Sequence, residues 1–282
     1  MVAIGLELPC RFVSSTVSSG AGSHRCEVRR SAIVYNPSRP FTETSSANCH
    51  NSPCLRSIVL KLLFRAALCL LFSLAVGAAQ ETPVPVVQEP YHHVQLKNDD
   101  IVVIHAILPP GERTAYHIHS CDRTGVQLAN SATTGQRFGE AEGQPQAAKP
   151  GDIFSDTCTD KPLIHRVHNV GSTTMDVIDL ELLHRPTQPS TSIAGPIAVE
   201  NPSVRVYKWT IAPAASTAMH THTRPYLIVA ISPMQLKMTA PDGQSRAEQV
   251  KAGDFHWVTV PVTHALANEG STEGQIVEFE LK

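Results

Sequence analysis

No stretch of this chain carries the long 3.6-residue apolar period of a substantial helix, which excludes a helical bundle. Lysine and arginine form no patch and the formal net charge is −2, so there is no basic footprint for nucleic acid. One long apolar run occurs, at 59–79, and its uncharged segment at 66–76 is too short to span a bilayer comfortably. Cysteine is sparse beyond that run: of seven in the chain, Cys121 and Cys158 alone follow it.

The apolar run has the layout of a secretory signal peptide. Lys61 and Arg65 form its positive end, 66–76 its hydrophobic centre, and Gly77, Ala78 and Ala79 its small-residue cleavage site. An uncleaved anchor or a buried helix is the alternative. Residues 1–58 are rich in Ser, Arg and Cys and show no sustained period, so we expect an upstream extension with the true start near Val59 or Leu60. On this reading the protein is periplasmic or secreted, with no stable membrane anchor after cleavage. The first 78 residues hold eight basic and three acidic side chains, which leaves a net charge of −7 for the remainder. Outside the cytoplasm Cys121 and Cys158 can form one disulfide, or stay as two free thiols.

What the chain does have is one histidine pattern, twice. His117-Ile118-His119 is followed 46 residues later by His165, and His220-Thr221-His222 is followed 42 residues later by His264. Two histidines two apart on a strand point to one face, and a third from a distant strand can close a facial metal site. The repeat runs further. Pro110 answers Pro213, Gly151-Asp152 answers Gly253-Asp254, and Asn169-Val170-Gly171-Ser172-Thr173 answers Asn268-Glu269-Gly270-Ser271-Thr272. Such self-similarity indicates two copies of one unit. Short β-type runs with turn signals between them, such as 101–108, 176–183, 204–211 and 275–281, predict an all-β protein of two sandwiches or barrels. The expected order is an extended arm at 80–97, a first barrel at 98–184, a Pro-containing linker at 185–200 and a second barrel at 201–282.

These residues resemble a tandem pair of cupins, small jelly-roll β-barrels whose mouth commonly holds a metal. The family's first motif places Gly five residues before His-x-His. Gly111 with His117 and His119 matches it, while Ala214 replaces the glycine ahead of His220 and His222. The second motif's ending is matched by His165 with Asn169 and by His264 with Asn268. One departure stands out. The family's acidic ligand should fall at Arg123 or Thr124, and at Tyr226 or Leu227, and neither repeat has a carboxylate there. Asp122 is one residue short and reaches in only if its loop is distorted. Asn169 and Asn268 are expected as barrel-turn residues.

The expectation is therefore two three-histidine sites, His117, His119 and His165 and His220, His222 and His264, each completed by water or substrate. Three neutral imidazoles suit a divalent ion, Fe, Mn, Ni, Cu or Zn, and leave it a strong Lewis acid. The resemblance implies a metal-dependent enzyme, a dioxygenase, decarboxylase, lyase or isomerase, acting on a small anionic or polyphenolic substrate, and the leader makes it an exported one. The alternatives are a non-catalytic small-ligand or metal-binding module, or a scaffold whose histidines are satisfied polar residues. His256 and Tyr226 are candidate cavity residues; His92, His93, His105 and His184 are expected at the surface or in structural roles. A homo-oligomer is compatible with the pattern. N-terminal sequencing of the protein purified from its native compartment should begin near Ala78–Gln80; any intact peptide from 1–57 contradicts the leader reading.

Overall fold

A computed structural model describes residues 81–185, 190–259 and 261–282. The expected extension at 1–58 and signal peptide at 59–79 lie outside the described residues. The chain is all-β, as expected. Among the described residues the one helical element is a 3-10 turn at Val86–Gln88. None is long and apolar enough to cross a membrane.

The first repeat runs β1 (Val84–Pro85), β2 (His92–Lys97), β3 (Ile101–Leu108), β4 (His117–His119), β5 (Asp122–Gln127), β6 (Ser131–Arg137), β7 (Gln146–Ala148), β8 (Ile153–Asp156), β9 (Leu163–Asn169) and β10 (Met175–Leu182). The second runs β11 (Ile197–Glu200), β12 (Val204–Ile211), β13 (His220–His222), β14 (Tyr226–Ala230), β15 (Met234–Thr239), β16 (Ser245–Val250), β17 (Phe255–Val258), β18 (Val262–Asn268) and β19 (Gly274–Leu281). Each repeat folds into two facing sheets. In the first the orders are β1-β4-β9-β6-β7 and β2-β3-β10-β5-β8; in the second, β11-β12-β19-β14-β17 and β13-β18-β15-β16. The residues expected as an arm are woven into the first barrel, β1 pairing in parallel with β4 and β2 antiparallel with β3. Part of the expected linker likewise becomes β11 on the edge of the second barrel.

Alternation explains why the central strands read as almost continuously apolar. One face of β10 and β19 points into its own barrel, and the other packs against the opposite barrel. Ile178, Leu180 and Leu182 meet Val206, Leu227 and Phe279 in one shared core. The two barrels thus form one body, with each interior left for other chemistry. Asn169 and Asn268 act as hooks, as expected. Asn169 donates to the carbonyls of Leu108 and Thr173 (both 2.8 Å), and Asn268 to those of Ile211 (2.9 Å) and Thr272 (2.7 Å). Gly111 has φ +78°, and Ala214 holds the same left-handed turn at φ +58°, which strains a residue with a Cβ.

Asp122 does not reach the histidines. It is buried at the seam between the repeats, where it accepts from the Cys158 and Thr159 amides, the Thr159 hydroxyl, the Arg185 guanidinium (2.9 Å) and the Ser203 hydroxyl (2.5 Å). Burial alone would raise its pKa, but the Arg185 and Ser203 bonds hold it well below the usual carboxylate range. Cys121 and Cys158 are free thiols. Removing a buried carboxylate orphans its donors, so Asp122→Ala should cost about 3 kcal/mol, read as a lower urea midpoint with an unchanged slope. An unaltered midpoint would show that the seam does not depend on this residue.

Candidate metal centre

Register makes the site. On β13, His220 and His222 are two apart and share a face, and β18 places His264 directly opposite His220. On β4, His117 and His119 do the same, with His165 of β9 opposite His117. Both predicted trios are therefore brought together. In each, the donor atoms lie within 4.8 Å of one another.

The ring orientations repeat as well. Nδ1–H of His220 donates to the Ala218 carbonyl and Nδ1–H of His117 to that of Ala115, both at 2.9 Å. A carbonyl only accepts, so these bonds fix the tautomer and leave Nε2 as a lone-pair donor facing inward. Nδ1 of His222 meets Glu280, and Nδ1 of His119 meets Glu181, both at 2.6 Å.

The sequence reading missed the carboxylates, and here the second site departs from the three-histidine expectation. Glu278, on β19, stands among the three histidines, its Oε1 3.5 Å from His222 Nε2 and 3.7 Å from His264 Nε2. Trp209 fixes the other oxygen, its indole N–H donating to Oε2 at 2.7 Å. A signal for this existed: Glu278 and Glu280 alternate with Val277 and Phe279, so both acids share the inward face, and Asp179 and Glu181 do the same on β10. Motif spacing does not look there, because it searches just after His-x-His.

The two interiors then diverge. In the first barrel the position of the family's acid holds Arg123, whose Nη1 lies 3.5 Å from His119 Nε2. Asp156 and Asp179 accept from it at 2.9 and 3.0 Å. In the second barrel the matching residue is Tyr226, stacked on His222 with centroids 4.0 Å apart. Its hydroxyl is buried without a hydrogen-bond partner. His256 is half-buried opposite Ile228. His105 is buried and paired with Asp176 at 2.6 Å, and His168 bonds Glu142 on the far side of its strand from His165.

The second site fits a cation. The inward Nε2 atoms of His220, His222 and His264 and Oε1 of Glu278 are all buried without a hydrogen-bond partner. Buried polar atoms left unpaired are costly, and four of them converging on one point are what a divalent ion satisfies. Burial alone would lower the His222 pKa, but polar contact with the Glu278 and Glu280 carboxylates, and then their charges, outweigh it and push it up to about 9. At neutral pH that ring is an imidazolium, and a proton must leave before Nε2 can bind a metal. Affinity at this site should rise by about tenfold per pH unit below pH ~9 and level off above it. Chelator competition between pH 6 and 8 measures this, and a flat profile contradicts it.

No protein-family model matches the chain. It is 33% identical to the β-alanine degradation protein BauB of Pseudomonas aeruginosa over 86 residues, which are 30% of this chain and 90% of BauB. Its fold is similar to that of AerE from Microcystis aeruginosa at 14% identity, covering 72% of this chain and 100% of AerE with a TM-score of 0.53. A cupin domain protein of Bordetella pertussis aligns at 26% identity over 34% of this chain and 98% of its own length, with a TM-score of 0.29. With two jelly-roll barrels and a histidine trio at the heart of each, the chain belongs to the cupins, as a tandem two-barrel member that shares a family with BauB.

Proposed function

We propose that this protein is an exported metal-dependent bicupin whose second barrel is the working site, holding a divalent ion on His220, His222, His264 and Glu278. The observation that carries the reading is the set of four buried donor atoms without hydrogen-bond partners. A divalent ion there supplies Lewis acidity and open coordination positions for a small chelating anion.

The surrounding residues favour proton-delivering chemistry. Burial first, then the charges of Glu278 and Glu280, push the Tyr226 phenol well above its ordinary pKa, so it stays protonated and donates. It lies beside His222, buried and unpaired, placed to donate a hydrogen bond to a substrate oxygen. Of the four reaction classes the family suggests, decarboxylase, lyase and isomerase use such a donor directly. The similarity to a protein of β-alanine degradation, itself a small carboxylate, supports a small anionic substrate.

Elemental analysis is the test. His222→Ala and His264→Ala should each remove the ion of the second barrel while circular dichroism shows the fold intact. Tyr226→Phe should keep the ion and still bind malonate, β-alanine or catechol, whichever perturbs the metal's spectrum in the native protein, but lose about 10²-fold or more in turnover. Unchanged metal content in both histidine variants refutes the site. Bound metal with no response to any of the three probes makes the protein a metal carrier instead.

A further inference from the structure

The two oxygens of the Glu278 carboxylate are treated differently. Oε1 is buried without a hydrogen-bond partner, whereas Oε2 accepts the indole N–H of Trp209 at 2.7 Å. An indole nitrogen only donates, and its bond to an anionic oxygen is of the strong, charge-assisted kind. The same ring lies flat on His220, with centroids 5.3 Å apart and planes at 18°. Trp209 thus touches two residues of the centre at once, Glu278 through its edge and His220 through its face. The first barrel lacks this indole. Ala106 stands at the matching position, and His92 meets His117 edge-on with centroids 4.6 Å apart. The acid that matches Glu278 is Asp179, and it takes its hydrogen bond from the Arg123 guanidinium.

The segment that joins the two repeats holds the indole in turn. Gly195 packs on it so closely that an added Cβ would fall 2.7 Å from one ring carbon and 2.8 Å from the next. A rigid ring cannot yield at one edge, so any side chain at 195 must displace the indole as a whole. The segment is itself tied down on both sides of Gly195. Ile193 N–H donates to the Tyr207 hydroxyl at 3.0 Å, and Lys208 N–H donates to the Pro196 carbonyl at 3.0 Å.

We propose that Trp209 is a positioning residue that makes Glu278 a one-oxygen ligand, and that it thereby selects the kind of molecule the second centre accepts. This rests on the function proposed above, with the divalent ion in the second barrel. Three imidazoles and one carboxylate oxygen leave an octahedral ion two open positions; a Glu278 bound through both oxygens would leave it one. By committing Oε2 to its own N–H, Trp209 reserves room for an anion whose two oxygens grip the ion together. Dicarboxylates, 2-hydroxy and 2-oxo acids and catechols have that chemistry. A lone carboxylate such as acetate needs a single position and gains nothing from the arrangement.

The test uses the full chain loaded with Mn2+. Pulsed electron paramagnetic resonance in isotope-labelled water counts the waters on the ion, and titration of the same signal gives the affinities for malonate and acetate. The native protein should hold two waters and prefer malonate. Trp209→Phe keeps an aromatic ring on His220 and removes the N–H. It should retain the ion, show one water and bind malonate about tenfold or more weaker, with acetate affinity unchanged. Gly195→Ala, which displaces the indole without removing it, should move both readouts in the same direction. A merely structural role for Trp209 would lower thermal stability and leave the water count and the malonate-to-acetate ratio as they were. Two waters and the native ratio in both variants overturn the proposal. Unchanged Mn2+ binding in His264→Ala would instead show that the ion lies elsewhere, and the function proposed for the second barrel would fall together with this role for Trp209.

Discussion

The chemistry of the second barrel depends on donor atoms that the fold leaves without hydrogen-bond partners. Inside the second barrel three imidazole nitrogens and a carboxylate oxygen are removed from water and given no hydrogen-bond partner. Three of the four ligands are held from behind, His220 by Ala218, His222 by Glu280 and Glu278 by Trp209, while His264 Nδ1 has no hydrogen-bond partner. A barrel that merely tolerated buried histidines would let them bond each other or the backbone. Pinning the outer nitrogen and leaving the inner one unpaired is how a protein holds ligands ready for an ion.

Duplication supplied the frame and divergence the difference. The register that sets His220 against His264 also sets His117 against His165, and the last strand of each repeat delivers two acids to the interior. Within that common frame three substitutions change the chemistry. Glu278 is one methylene longer than Asp179 and groups with all three of its histidines, whereas Asp179 groups with His119 and Glu181. Tyr226 is neutral where Arg123 is charged. Trp209 stands where the first barrel accommodates His92. The shared core occupies the outer face of one sheet of each barrel, and all three changes lie on inner faces.

The fold was legible because its signals are periodic. A repeated His-x-His, a repeated Gly-Asp turn and a repeated Asn after the third histidine are all consequences of one backbone geometry used twice. The strands at 101–108 and 204–211 form where β-branched runs predict them. Polar strands such as β6 and β16 were not legible, since Ser131–Arg137 and Ser245–Val250 lack an apolar face long enough to read. Glu278 escaped for a different reason. It reaches its histidines from a strand remote in sequence, and only the pairing of β14 with β19 shows the approach. The expected carboxylate was sought beside His-x-His, whereas the acid comes from the far end of the chain.

The central claim is that the second barrel encloses a divalent ion on three histidines and Glu278. Anomalous diffraction from crystals of the metal-loaded protein tests it most directly. The account predicts a peak bonded to the Nε2 atoms of His220, His222 and His264 and to a Glu278 oxygen; a metal-replete protein with no peak among those four residues would contradict it.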